Sequence, residues 1–401
     1  MKETFFLQVP PGLENLAKQE FELKYPILSP GSPHPTLLVE KGGVSVELPI
    51  EKGLSLNYWL KIPNRILLRF AHFKCRDFPK LYNKLIRLDW SPFFAGQEYN
   101  IQTSSHSSRI FDSRKINKTV QDALQKFIQS KEPKAKAKKR VSYFSEWNLM
   151  CRFEDDWFTL SLDTSGSRLG KRGYKLANGM APLRENIAAA LYLFMLFPKV
   201  SNNKAQKMTP PSTLIDPFCG SGTLLTEAAL FFEPNLYRNY AFEFFPMMDD
   251  RKAQGKPLLR PSALNLDMTL FLVGIDKSEE RIEEVKENIK SASIPLSDTY
   301  IISADSFAKS FPYKMKNDVF SDAKNNVWCL TNPPYGKRVK TSKKLEDIIL
   351  SLSQWGNWQR IGILLPPSHN HDFSKYGLKL IDSVDFENGG EKVRFLLLEN
   401  E

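Results

Sequence analysis

Apolar and polar residues alternate along the chain in two successive styles. In the first 165 residues, helical and strand periods are interleaved. "GLENLAKQEFELKY" sets Leu13, Leu16, Ala17 and Phe21 at helical spacing, and "FPKLYNKLIRL" does the same with Leu81, Leu85 and Ile86. "GGVSVEL", "ILLRFAHF" and "WFTLSLD" read as strands, the last alternating apolar with polar residues. This mixture predicts an α+β region. A Gly/Ser/Arg-rich connector, "DTSGSRLGKRGY", looks like a domain junction, with the boundary expected at 165/166. "APLRENIAAALYLFML" then predicts a helix with Pro182 in its first turn.

From about residue 213 the pattern becomes strand–helix alternation. "STLIDPFCGSGTLLTEAAL" supplies a short apolar strand, a Gly-containing loop and a helix. "FLVGID" with "SEERIEEVKENIKSA" repeats the unit, followed by "TYIISADSF", "NNVWCLTNPPYG" and "RIGILLPP". Such alternation predicts an α/β fold with a mostly parallel sheet covered by helices on both faces. "LIDSVDFENGGEKVRFLLLEN" reads as a closing hairpin with a Gly-Gly turn. No internal repeat is visible.

Composition adds limits. A chain of 401 residues exceeds what one core usually organises, so two or three domains are expected. No stretch offers the roughly 18 uninterrupted apolar residues that a spanning helix needs. The N-terminus lacks a signal-peptide pattern, and a cytoplasmic location is expected. Cys75, Cys151, Cys219 and Cys329 are scattered without CxxC spacing, so reduced buried thiols are expected and no metal site.

The formal charge of +11 becomes informative once located, because residues 61–140 hold 19 Lys/Arg against 6 Asp/Glu. The run "KEPKAKAKKR", Lys131 to Arg140, is on its own more often a solvated loop than a site. In this window, however, Arg65, Arg69, Lys74, Arg76, Lys80, Lys84 and Arg87 alternate with Phe70, Phe73, Phe78, Tyr82 and Trp90. Cations that neutralise phosphates beside rings that stack on bases suit an RNA-binding surface, although many of the rings must be core.

Chemistry concentrates at the strand ends of the second half. In "DPFCGSG", Gly220 and Gly222 let a loop approach a ligand closely. Asp216 would repel a phosphate and suits a ligand bearing an ammonium group. The next strand ends in Asp276, where an acid commonly meets ribose hydroxyls, and the third leads to Asp305, near where an adenine would lie. Ammonium, ribose and adenine together describe S-adenosyl-L-methionine. Cys219, Ser221 and Thr223 belong to the same cofactor loop.

"DPFCGSGTLLTEAA", "GIDKSEERIEEVKENIK", "ADSF" and "TNPPYGKR" resemble motifs of class I S-adenosylmethionine-dependent methyltransferases. "RGYKLANGMAPLRENIAAAL", "PPGLENLAKQEFELKY", "NRILLRFAHFKCRDFPKLYNKLIRLDW" and "SSRIFDSRKINKTVQDAL" resemble the bacterial THUMP-domain RNA guanine-N2 methyltransferases acting on large-subunit ribosomal RNA. The resemblance covers nearly the whole chain. It implies a ferredoxin-like plus THUMP region that binds RNA, over residues 1–165, and a Rossmann-like methyltransferase domain over 166–401. Some members carry a second methyltransferase domain, whereas this sequence ends at Glu401, so the single-domain form is expected. For the long segment between the first two sheet units, around residues 233–265, a lid and plain helix packing are both open.

"NPPY" then acquires a role. Two adjacent prolines stiffen a turn, and in isolation that is the usual meaning of such a pair. Behind a strand end they can hold the Asn332 side-chain oxygen and the Pro333 carbonyl as acceptors for the two N–H bonds of an exocyclic amine, whose lone pair is then directed at the methyl. Pro334 completes the rigid turn. Tyr335 offers a ring to an extruded base, Gly336 leaves room, and Lys337 or Arg338 meets phosphate. The expected substrate is guanine N2 in RNA, 23S rRNA first and tRNA second. Adenine N6 and a protein glutamine amide present the same NH₂, and a non-catalytic RNA-binding assembly factor on this scaffold is the reading from another class.

Overall fold

A computed structural model of the chain describes residues 2–130, 144–176, 183–198, 210–256, 259–261, 270–308, 315, 326–334, 345–356, 358–367 and 372–401. They gather into two compact units, each discontinuous in sequence. One comprises Met1–Val9, Glu22–Leu169 and Arg238–Ser262; the other comprises Pro10–Phe21, Gly170–Tyr237 and Ala263–Glu401. This differs from a single boundary at 165/166.

The first unit is built on β1 (Lys2–Gln8), β2 (Leu37–Glu40), β3 (Gly43–Pro49), β4 (Arg65–Lys74), β5 (Asn100–His106), β6 (Asn148–Glu154) and β7 (Trp157–Asp163), in the order β2-β3-β1-β4-β7-β6-β5. All pairings are antiparallel except β5 with β6. Helix α1 (Glu14–Leu28) is divided, belonging to the second unit through Phe21 and to the first from Glu22, and the first unit also holds α2 (Ile50–Trp59), α3 (Phe78–Leu85) and α4 (Ser113–Ser130). Period-2 burial puts Phe5, Leu68, Leu162 and Leu149 in register on one face, all of them buried. Helix α2 lies so close over Phe5 that a side chain at Gly53 would collide with its ring. Asn57 of α2 is buried and ties the sheet to the chain after β7, donating to Thr164 Oγ1 at 2.9 Å and accepting from Ser165 Oγ at 2.6 Å. Asp77 caps α3 by accepting from Lys80 N, and α4 buries Ile116, Val120, Ala123 and Leu124 on one stripe.

Helix α5 (Glu185–Leu196) follows. It begins at Glu185, later than a first turn containing Pro182 would place it, and Pro182 lies outside the described residues. After β8 (Thr213–Asp216) and α6 (Thr223–Ala229), the chain enters the long intervening segment with α7 (Pro246–Ala253). From Arg238 this segment is part of the first unit rather than a lid-like element of the second. Aromatic packing is the cause: Tyr240 meets Tyr58, Phe244 stacks on Phe144, and Phe245 meets Phe93 and Trp147. Polar contacts fix it, with Tyr58 donating to Glu243 and Arg238 donating to the carbonyls of Ser165, Ser167 and Arg168.

The second unit continues with β9 (Phe271–Asp276), α8 (Glu279–Ser291), β10 (Thr299–Ser303), β11 (Val327–Thr331), α9 (Leu345–Trp355), β12 (Arg360–Leu365), β13 (Leu378–Asn388) and β14 (Glu391–Asn400). The sheet order is β10-β9-β8-β11-β12-β14-β13. The first five strands are parallel, and β14 and β13 add an antiparallel edge. The closing hairpin turns at Gly389 and Gly390, both at positive φ. Strand β8 and the strands that follow it run outward in one direction to β10, then restart at β11 on the other side of β8. The order therefore reverses between β8 and β11, which is where open α/β sheets leave a crevice at the carboxyl ends of their strands.

Candidate active site

Three acidic or amide side chains singled out in the sequence stand at that edge. Asp216 ends β8, Asp276 ends the neighbouring β9, and Asn332 follows the last residue of β11 on the opposite side. Neighbouring strands lie roughly 5 Å apart, so the register alone brings their ends together. Thr331, fully buried, donates from Oγ1 to Asp216 Oδ1 at 2.8 Å and so spans the switch between β8 and β11. The Phe218 amide donates to the same oxygen at 3.1 Å. Burial, with Asp276 nearby, pushes the Asp216 carboxyl up to about 7, while the hydrogen bonds from Thr331 and Phe218 pull the other way. At neutral pH this carboxyl is divided between its two forms, and a cationic partner would draw it to the carboxylate.

Asp276 accepts from Gly220 N at 3.2 Å through Oδ2 and from Ser278 N at 3.0 Å through Oδ1. It thus holds the loop after β8 and the start of α8. Gly220, at φ +52°, has nothing within 4 Å of where a side chain would sit, which leaves its backbone open to a ligand. Gly222 has a different reason: at φ +77°, an added Cβ would come to 2.9 Å from Val285 Cγ1 of α8. The two glycines thus divide the work expected of both, one for approach and one for packing.

The remaining loop residues differ among themselves. Cys219 is buried, with its sulfur 3.3 Å from where a Cβ on Gly274 would lie, and burial raises its thiol pKa, so the side chain packs against the sheet and only its backbone faces the loop. Ser221 and Thr223 are buried with their hydroxyl oxygens 3.4 Å apart, and Lys175 Nζ donates to Thr223 Oγ1 at 2.9 Å. Asp305 is exposed and accepts from Phe307 N at 3.0 Å, turning the chain after β10. Asn332 and Pro334 are half-buried and Pro333 is buried. Tyr335, Gly336, Lys337 and Arg338 lie outside the described residues.

Several supporting residues were not anticipated. Ser306 Oγ donates to Pro217 O at 2.8 Å and the Phe218 and Phe307 rings meet at 5.3 Å, which joins the loop after β8 to the loop after β10. Arg172 and Tyr174 converge on Glu227 of α6, all three buried: Arg172 donates from a terminal nitrogen at 2.8 Å and Tyr174 OH at 2.6 Å. Removing one partner of such a buried pair costs about 3–5 kcal/mol. Asn288 of α8 donates to Ser221 O at 3.0 Å and accepts from Leu176 N at 2.9 Å. A lone hydroxyl closing the apolar run "VWCLT" was the signal that could have flagged Thr331.

The cations of the first unit divide similarly. Arg65 is committed to Asp163 and the Gly166 carbonyl, Arg69 makes a two-pronged pair with Glu40 at 3.1 and 2.8 Å, and Arg76 pairs with Asp156 at 2.7 Å. Lys84 sits 4.4 Å over the Phe73 ring, and Trp90 is core. Lys74, Lys80 and Arg87 are exposed. The run Lys131–Arg140 lies outside the described residues. Among the described residues, no cluster of His, Cys, Asp and Glu is arranged to hold a metal ion, and no helix is long and apolar enough to cross a membrane.

Residues 75–163 match the THUMP domain, and residues 172–358 match the RMKL-like methyltransferase domain. The ribosomal RNA large subunit methyltransferase K/L of Marinomonas sp. (strain MWYL1) is 26% identical over 397 residues, covering 96% of this chain and 51% of that protein. This chain thus spans about half the length of that relative. YpsC of Bacillus subtilis (strain 168), provisionally named an RNA methyltransferase, is 26% identical over 88% of this chain and 84% of its own. The fold is shared with SMU.472, provisionally called a methyltransferase and solved in complex with S-adenosylhomocysteine (SAH), at a TM-score of 0.71 and 22% identity over 100% of this chain and 98% of that one. Together with the sheet order, these matches assign a THUMP domain to residues 75–163 and an RMKL-like methyltransferase domain to residues 172–358.

Proposed function

We propose that this protein transfers a methyl group from S-adenosylmethionine to the exocyclic N2 amine of a guanine in RNA, with 23S ribosomal RNA as the substrate class, and that it does so in the cytoplasm. The observation that carries the reading is the Thr331–Asp216 hydrogen bond across the sheet's switch point, because it joins the strand end suited to the cofactor with the strand that presents Asn332. The residues fit the cofactor. Asp216 is a buried acid suited to its ammonium group, Asp276 is suited to ribose hydroxyls, and Gly220 leaves open space beside both. When bound there, S-adenosylmethionine supplies an electrophilic methyl on a sulfonium.

Asn332 Oδ1 and the Pro333 carbonyl accept the two N–H bonds of the target amine. Its lone pair, otherwise delocalised into the base, is thereby held toward the methyl. Two prolines keep these acceptors in place, so little reorganisation is needed at the transition state. Tyr335 stacks on the extruded base. The THUMP match, the basic window and the names of the K/L relatives favour ribosomal RNA. Nucleoside mass spectrometry of ribosomal and transfer RNA from cells with and without the gene tests it. Loss of N2-methylguanine from 23S rRNA is expected; loss from tRNA would change the RNA class, and loss of N6-methyladenine would change the base.

A further inference from the structure

Thr103 donates to Asn117 of α4, which marks the face of β4, β5, β6 and β7 that meets this helix; side chains on that face are buried or half-buried, Phe153 and Phe158 among the buried, while much of the opposite face is open. Register places Ser104, Arg152, Thr159 and His72 side by side across four strands on that open face. The next step along the sheet brings Trp157 opposite Lys74. The His72 and Trp157 rings stack with centroids 4.9 Å apart and planes at 8°, and Thr159 Oγ1 lies 2.9 Å from His72 Nδ1, which fixes the imidazole in its plane. Trp157 is 43% exposed and His72 is exposed. A stacked pair of rings left in solvent is unusual when one of them is a Trp, which ordinarily buries most of its surface.

We propose that this face is a stacking platform for an unpaired nucleotide of RNA. Its flanking groups are the hydroxyls of Ser104 and Thr159, the cations Arg152 and Lys74 and the carboxylate of Glu154 rather than an apolar rim, which does not suit a hydrophobic protein partner. Arg152 pairs with Glu154 at 2.6 Å in a solvent-exposed contact, and Lys74 is exposed beside the rings. The excess of Lys/Arg in residues 61–140 matches a polyanion. A duplex hides its base faces, whereas a single strand can lay one on an aromatic side chain, so the occupant is single-stranded. The proposal deepens the RNA reading above and rests on it.

The test measures binding of a fluorescent oligouridylate of about 12 nucleotides, and of an RNA duplex of similar length, to the full chain and to Trp157→Ala, Trp157→Phe and His72→Ala variants across a salt series. Trp157→Ala lowers affinity for the single strand about tenfold with an unchanged salt slope, while Trp157→Phe retains most of the binding. Duplex binding, thermal midpoint and S-adenosylmethionine affinity stay at the wild-type level. Wild-type single-strand affinity in both Trp157→Ala and His72→Ala overturns the platform alone, as does an equal loss for duplex. Failure of the wild-type chain to bind either RNA overturns the RNA reading and the platform with it.

Discussion

Thr331 Oγ1 donates to Asp216 Oδ1 at 2.8 Å, joining the last residue of β11 to the last residue of β8 where the strand order reverses. The bond is buried at both ends. It makes the acid suited to the cofactor and the backbone that leads into Asn332 one structural piece. Thr331→Val keeps the shape and removes the donor. Burying a carboxylate with one donor fewer raises its pKa, and losing one hydrogen bond to a charged group costs about 1.5 kcal/mol. Cofactor affinity at neutral pH is expected to fall about tenfold in Thr331→Val and to be restored in Thr331→Ser, as titration calorimetry will read.

The pH dependence of cofactor binding follows from the Asp216 carboxyl at about 7. Its raised value means that the folded chain holds this proton more tightly than the unfolded chain. Its contribution to stability is thus full below the unfolded pKa and is lost as pH rises through about 7. A cationic ligand prefers the ionised form, so binding tightens from about pH 6 to about pH 8 and then levels off, releasing a proton near the midpoint. Calorimetry in buffers of different ionisation enthalpy measures that proton. A flat profile in the wild-type chain would remove Asp216 from the ammonium site.

The two glycines of the loop should separate in their effects. Gly222→Ala combines a left-handed backbone with contact on Val285 and is expected to cost about 2 kcal/mol or more of stability. Gly220→Ala meets no neighbour and carries only the backbone cost of about 1 kcal/mol, but it intrudes where the cofactor approaches. Urea denaturation should single out Gly222→Ala, and calorimetric titration should single out Gly220→Ala.

How much of this was legible in the sequence depends on what each residue's role rests on. The strand ends at Asp216, Asp276 and Asn332 could be read because short apolar runs stop abruptly at polar residues. Roles that depend on a partner distant in the chain could not be read. Arg65 and Arg69 looked like phosphate contacts until Asp163 and Glu40 appeared beside them. Cys219 looked like part of a ligand loop, yet its buried thiol packs with Ile301 and Leu225 around Gly274 of the neighbouring strand. The segment around Tyr240 and Phe244 was ambiguous because its aromatic residues pack on Tyr58 and Phe144, far away in sequence.

The central claim is that Asn332 holds the amine of a guanine for methyl transfer. Single-turnover methylation of ribosomal RNA at saturating S-adenosylmethionine, with the product identified by nucleoside mass spectrometry, tests it most directly. The wild-type chain should form N2-methylguanine. Asn332→Ala should bind cofactor and RNA nearly as well but react at least about a hundredfold more slowly, since one acceptor for the reacting amine is lost. An Asn332→Ala chain that methylates at the wild-type rate would contradict the account.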